Sequence, residues 1–187
     1  MSIKLTPSIT LFEREDWGYR EACSPTSQGW DAHEVFLHHT DDTARGIDSL
    51  LDQKNRMQDY QNFHINTRGW CAIGYHYVVF PEFTTSAGTH VNARIFEGRP
   101  RDSVPAAQEG HNSGTLAISV VGAGDARMDD SQRYAVEVLV NWLKDNGAPL
   151  RTLGGHRDVT ATSCPGDGIY AYDLPVIRQV TGLQRYS

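Results

Sequence analysis

The sequence predicts an α/β (α+β) fold, a central mixed β-sheet flanked by helices, and three observations carry that expectation. Short apolar runs alternate along the chain with segments of helical period. The length, 187 residues, suits one hydrophobic core, and 39% hydrophobic with 21% charged residues is a globular balance rather than a disordered one. No internal repeat, low-complexity tract or Pro/Gly/Ser-rich linker divides the chain, so residues 1–187 read as a single domain. Within it, residues 1–30 are expected as an irregular arm, because Gly18, Ser24-Pro25 and Gly29 are turn formers, and the core as about 31–181.

The elements follow in order. Val35-Phe36-Leu37 is an apolar run that ends in His38-His39-Thr40, a buried strand with polar groups at its exit. Ile47, Leu50, Leu51, Met57 and Tyr60 recur at helical spacing, with Asp42 or Thr43 as N-cap and Asn66-Thr67-Arg68-Gly69 as the break. Gly74 to Phe80 is rich in aromatic and β-branched residues and reads as a strand stopped by Pro81. A polar stretch, Glu82 to Asn92, leads to a second strand near Val91 to Phe96. Leu116 to Gly122 is a third apolar run, read as a central strand buried on both faces. From Asp130-Ser131, the stripe Ala135, Val138, Leu139, Trp142 and Leu143 predicts a helix closed by Asn146-Gly147. A short helix around Leu174 to Val180 ends the pattern.

Charge and cysteine use exclude some functions. Lys+Arg 17 against Asp+Glu 23 leaves a formal net charge of −6, which lacks the basic footprint a nucleic-acid partner requires. No apolar run approaches the roughly 18 residues that span a bilayer, so no membrane insertion is expected. The first residues show no sustained apolar segment, and the expectation is synthesis in the cytoplasm without a signal peptide. Three cysteines cannot all pair within one chain. In a reducing cytosol a stable disulfide is not the default, and Cys23 with Cys71 is a candidate pair only in an oxidising space.

Two signatures carry chemistry. Phe36-Leu37-His38-His39-Thr40 places histidines at a strand exit, and Gly154-Gly155-His156-Arg157-Asp158 runs on to Ser163-Cys164-Pro165-Gly166. His156 and Cys164 are too far apart for one helical turn, so their loop must fold back, and Pro165-Gly166 enforces a turn. One His from a distant strand plus a His and a Cys from one loop supplies three protein ligands. Catalytic zinc sites use that number and leave the fourth position for water or substrate. The bland alternatives are a small buried Cys164 and a strand-end His38.

With these residues in view, the chain resembles the type-2 N-acetylmuramoyl-L-alanine amidases, the superfamily that includes phage T7 lysozyme-like amidases and the peptidoglycan recognition proteins. The resemblance rests on Arg14-Glu15-Asp16-Trp17-Gly18, Leu37-His38-His39-Thr40, and Phe63-His64 through Arg68-Gly69-Trp70-Cys71 to Gly74-Tyr75-His76-Tyr77. It continues through Phe96-Glu97-Gly98-Arg99, Gly110-His111-Asn112, Val121-Gly122 and His156-Arg157-Asp158-Val159 to Cys164-Pro165-Gly166, in family order over about residues 14 to 175. The resemblance implies a zinc amidase fold with one Zn2+ per chain, held by His38, His156 and Cys164. It implies Tyr75 and Thr162 at the reacting bond, with cross-strand packing and a bond to its own loop backbone as their respective plain alternatives. It implies Trp70, Arg99, His111 and Asn112 either as peptidoglycan-binding side chains or as residues that hold the fold. Asp158 is a candidate for ordering the His156 loop, and Glu97 a candidate acid or base with an equally good structural role at a strand end.

Three departures from the family pattern stand out. Two positions before the Cys ligand, Thr162 matches many active recognition proteins and departs only from the phage pattern, in which the T7-like enzymes have Lys. Ala107 stands where many members have a groove histidine, and the 82–92 stretch exceeds the usual tight hairpin and suggests an added loop near the groove. The implied activity is hydrolysis of the bond between N-acetylmuramic acid and L-alanine, in a phage endolysin or other bacteriolytic enzyme acting on the bacterial cell wall. A holin or an export system would then be its delivery partner. The alternatives are a recognition module that binds peptidoglycan (muropeptide) without cutting it, and a zinc peptidase acting within the stem peptide.

Overall fold

The computed structural model describes residues 1–43, 46–84 and 90–187. The chain runs through β1 (Ser2–Lys4), β2 (Thr10–Phe12), β3 (Glu34–His39), α1 (Leu50–Asn66) and β4 (Tyr77–Phe80). Then come β5 (Phe83–Thr84), β6 (His90–Val91), β7 (Arg94–Glu97), β8 (Thr115–Val120) and α2 (Asp130–Asp145). It closes with β9 (Thr152–Gly155), α3 (Leu174–Thr181) and β10 (Gln184–Arg185). Eight strands form one mixed sheet in the order β1-β2-β7-β4-β8-β3-β9-β10, while β5 and β6 pair separately. The central strands β4, β8, β3 and β9 are mutually parallel, and β7 lies antiparallel to β4. The predicted mixed sheet with flanking helices is the observed architecture.

Strand alternation assigns the two faces. In β4, Tyr77 and Val79 enter the core under α2 and α3, with Val35 and Leu37 of β3 and Leu116, Ile118 and Val120 of β8. Val78 and Phe80 point the other way, into a smaller cluster with Trp17, Met57 of α1 and Phe96. On β3 and β8, the residues out of phase with the α2/α3 core include Phe36 and Ala117 and, at the strand exits, the polar pair His38 and Ser119, paired in register and both buried. The sheet therefore delivers a polar pair to the α1 side at the exit of its central strands. α2 buries Ala135, Leu139 and Leu143 of its predicted stripe together with Val136 and Val140, while the predicted Val138 and Trp142 are only partly buried against the core. Each fully buried aliphatic side chain there contributes about 1.5–3 kcal/mol.

Three sequence expectations are corrected. The arm over 1–30 is not wholly irregular, since β1 and β2 extend the main sheet through β2–β7 pairing. Three-residue strands carry too little pattern to be read, although Ile9 and Leu11 are buried in the main core. Helix α1 begins after Ser49, not after Asp42 or Thr43, and Ser49 with Asp52 forms a reciprocal capping box. Asp42 instead accepts hydrogen bonds from Arg56 and Tyr60. The buried stripe of α1 is Gln53, Met57, Gln61 and His64, and Leu51 is 65% exposed. Neighbouring glutamines bond backbone: the Gln61 Oε1 accepts from Arg20 N at 2.8 Å and Gln58 Nε2 donates to Trp17 O at 2.8 Å. Such a helix is held by amides to the N-terminal arm, a contact that apolar periodicity does not record.

Cys23 and Cys71 are disulfide-bonded across 48 residues, with Ala22 N donating to Cys71 O nearby at 2.7 Å. Residues 85–89, the middle of the stretch expected to add a loop by the groove, lie outside the described residues. Among the described residues, no helix is long and apolar enough to cross a membrane.

Candidate metal centre and groove

His38 leaves the C-terminal end of β3 and is 1% exposed. His156 opens a helical turn directly after β9, the parallel neighbour of β3, so the two imidazoles meet with ring centroids 4.6 Å apart. The loop from His156 returns on itself through Arg157 N donating to Cys164 O at 3.0 Å. Asp158 orders the same loop, accepting from Gly155 N at 2.8 Å and from the Tyr170 hydroxyl. That fold-back brings Cys164 to the histidines. One donor atom from each of His38, His156 and Cys164 lies within 4.8 Å of the others, and His38 Nδ1 is 3.8 Å from Cys164 Sγ.

The donor set fits a metal ion. Tetrahedral coordination with Zn–N near 2.0–2.1 Å and Zn–S near 2.3 Å places neighbouring N and S ligands about 3.6 Å apart. All three donors are uncharged without a cation. Burial holds the His38 imidazole far below its usual range, helped by the neighbouring His156, and burial also lowers His156. Burial pushes the Cys164 thiol up to about 11, against the His39 backbone N–H and Arg157, which favour the thiolate. Imidazole lone pairs are thus free to bind, and a cation would supply the charge that a thiolate needs in this place.

Tyr75 sits just before β4, partly buried, with its ring 5.4 Å from that of His38. Burial, followed by the nearby Cys164, raises its hydroxyl to about 12, while Ser119 beside it acts in the opposite sense. It therefore stays protonated at neutral pH and is a hydrogen-bond donor. The Thr162 Oγ1 accepts from Cys164 N at 3.2 Å, so this hydroxyl braces the ligand loop.

A cleft of about 550 Å³ opens beside the candidate metal ligands, lined by Arg68, Trp70, Ala106, Ala107, Glu109, Asn112, His156 and Thr160. Trp70 forms its wall by stacking on His64 at 4.7 Å between ring centroids. Behind Trp70 lies a smaller cleft of about 270 Å³ that reaches Cys71 and Arg99. The sequence-predicted groove residues divide accordingly. Trp70 and Asn112 line the larger cleft, with Asn112 also holding the loop by accepting from Ala107 N and Gln108 N. Arg99 is 5% exposed, and its guanidinium donates to the carbonyls of Ile73, Val104 and Ala72, so it serves the fold. His111 is exposed and lines neither cleft. Glu97 ends β7, separated from β3 by β4 and β8, and pairs with Arg14 at 3.1 Å.

Sequence reasoning passed over Gln108, which is fully buried behind His38 with its Oε1 3.1 Å from His38 Nε2. It also passed over Arg68 and Glu109, which give the cleft one charge of each sign. No local signal marks them, because the attention drawn to residue 107 rested on a missing histidine.

No protein-family model matches the chain. Among curated proteins, the chain is 30% identical over 166 residues to peptidoglycan-recognition protein LB of Drosophila melanogaster, covering 86% of this chain and 66% of that protein. It is 26% identical over 165 residues to peptidoglycan-recognition protein SC2 of the same species, covering 87% and 83%. It is 29% identical over 140 residues to the N-acetylmuramoyl-L-alanine amidase of Sus scrofa, covering 73% of this chain but 22% of that longer protein. Among solved structures, Drosophila PGRP-LB superposes with a TM-score of 0.75 at 25% identity, covering 96% of this chain and 98% of that one. A complex of tracheal cytotoxin with the ectodomains of peptidoglycan recognition proteins LCa and LCx gives 0.72 at 28%, covering 90% and 95%. The amidase LysC of Clostridium intestinale gives 0.71 at 23%, covering 96% and 100%, a likeness of fold.

Proposed function

The chain belongs to the superfamily of type-2 N-acetylmuramoyl-L-alanine amidases and peptidoglycan-recognition proteins, and from that premise we propose that it is a zinc-dependent amidase. Its substrate in this reading is peptidoglycan, cut between N-acetylmuramic acid and L-alanine. The observation that carries the reading is the complete donor set His38, His156 and Cys164 on the wall of an open cleft. A module that only binds has no need of three converging metal donors beside its groove.

Zinc, when bound, supplies Lewis acidity: it polarises an amide carbonyl and acidifies water near neutral pH. The side chains do the rest. His38, His156 and Cys164 would hold the ion beside the cleft, three protein ligands being the number that catalytic zinc sites use. Tyr75, protonated at working pH, donates a hydrogen bond to the oxygen on which charge develops. Thr162 accepts from Cys164 N and retains its own hydroxyl proton for the same oxygen. Trp70 and Asn112 form the walls of the groove, and Arg68 and Glu109 suit a stem peptide that carries both carboxylates and an amino group. The Cys23–Cys71 disulfide supports action in an oxidising space such as the cell wall. A bacteriolytic, endolysin-type role would require a holin or an export system if synthesis is cytoplasmic.

Purified protein should release soluble stem peptides bearing a free L-alanine amino terminus from bacterial sacculi. It should stop doing so with a chelator and in Cys164→Ala. Hydrolysis that persists after metal removal would overturn the zinc mechanism. Wall binding without new amino termini would make the protein a recognition module, and fragments cut within the stem would make it a peptidase.

A further inference from the structure

The buried side chain behind His38 has a hydrogen-bond order that can be read without ambiguity. The Thr115 hydroxyl has one proton, and it donates to the Asn112 carbonyl at 2.8 Å, an oxygen that can only accept. Thr115 Oγ1 must therefore accept from its other neighbour, Gln108, at 2.6 Å. That places the Gln108 amide nitrogen on Thr115 and its Oε1 on His38. An amide oxygen cannot donate, so the proton of the 3.1 Å contact belongs to His38 Nε2. A neutral imidazole with its proton on Nε2 has its lone pair on Nδ1, the atom that faces Cys164 Sγ.

We propose that Gln108 is a positioning residue for the metal centre: it locks His38 in the Nε2–H tautomer and aims Nδ1 at the ion. The inference rests on the metal reading of the preceding subsection. The lock is anchored by the loop that carries it. Ala107 N and Gln108 N both donate to Asn112 Oδ1, His111 N donates to Gln108 O at 3.0 Å, and Gln28 holds Gly114 N at 3.0 Å. Gln108 is 0% exposed, so no water competes for Nε2. Outer hydrogen bonds of this kind orient a metal-binding imidazole and raise its basicity. The role also gives Asn112 a function besides lining the cleft: it supplies both the carbonyl that orients Thr115 and the side chain that ties the loop.

The test uses the full chain and two variants. Long-range 1H–15N spectra of the metal-free protein should show His38 protonated at Nε2. Gln108→Leu, which keeps the volume but loses the acceptor, should mix the tautomers and weaken Zn2+ binding by about 10- to 100-fold in competition with a chromophoric chelator. Gln108→Glu, protonated in this fully buried place, still offers an acceptor to Nε2–H and gives Thr115 Oγ1 a hydroxyl proton in place of the amide N–H. It should therefore stay within about threefold of wild type, and a loss of about tenfold or more would overturn the proposal. His38 protonated at Nδ1 in the wild type, or Gln108→Leu binding Zn2+ as tightly as wild type, overturns the proposal. If Gln108→Leu does not fold, the wild-type spectrum and Gln108→Glu decide alone. A wild-type chain that shows Nε2–H yet takes up no Zn2+ refutes the metal reading and leaves the tautomer assignment standing.

Discussion

Acidification from pH 7 to pH 5 should destabilise the fold by about 2 kcal/mol through His76 alone. This imidazole is 0% exposed. Its Nδ1 accepts from Ala117 N at 3.0 Å and its Nε2 donates to Ser103 O at 2.9 Å, so both nitrogens are committed to the neutral form. Burial lowers its pKa from 6.5 to about 4, the Ser103 carbonyl resisting and Arg99 reinforcing the shift. The unfolded chain takes up this proton near 6.5, whereas the folded chain does so only near 4. Stability is therefore complete above about 6.5 and is lost as pH falls through the window towards 4. At pH 5 most of the unfolded imidazole is protonated and little of the folded one is, which yields the figure of about 2 kcal/mol. The assay is urea unfolding of metal-stripped protein at pH 7 and pH 5, for wild type and His76→Asn. The variant will be less stable at pH 7, but its loss between the two pH values should be smaller by about 2 kcal/mol. Parallel losses in both proteins would refute the reasoning.

Arg99→Ala should cost about 3–5 kcal/mol, because three carbonyls behind Trp70 lose a charged donor, and a change under about 1 kcal/mol in urea would show that water replaces it. Opening the Cys23–Cys71 bond by Cys71→Ser releases a 48-residue closure and should lower stability by up to about 4 kcal/mol, read as a fall in Tm of about 10 °C. Gly166→Ala should be costly as well: φ is +92°, and a Cβ would stand 2.1 Å from the Gly124 carbonyl oxygen. We expect a loss of about 2 kcal/mol or more together with weaker Zn2+ retention, since the turn holds Cys164, and normal zinc affinity would separate the turn from the ligand.

The sequence by itself marked the candidate donors and the central strands of the sheet. A histidine at the end of an apolar run, and a His and Cys in a loop closed by Pro-Gly, are local patterns whose chemistry is set by residue type and spacing. The alternation of Tyr77, Val78, Val79 and Phe80 between two cores is equally local, because side chains of a strand must face opposite ways. Tertiary structure decided what depends on a partner distant in the chain. Leu51 reads as core and is exposed, while Gln53 and Gln61 read as surface and are buried, because α1 faces the backbone of the N-terminal arm and the side chain of Arg94. Arg99 reads as a groove contact until three carbonyls appear around it. Gln108 shows no signal at all, since its meaning comes from His38, 70 residues away, and from a hydroxyl that can give its one proton to only one acceptor.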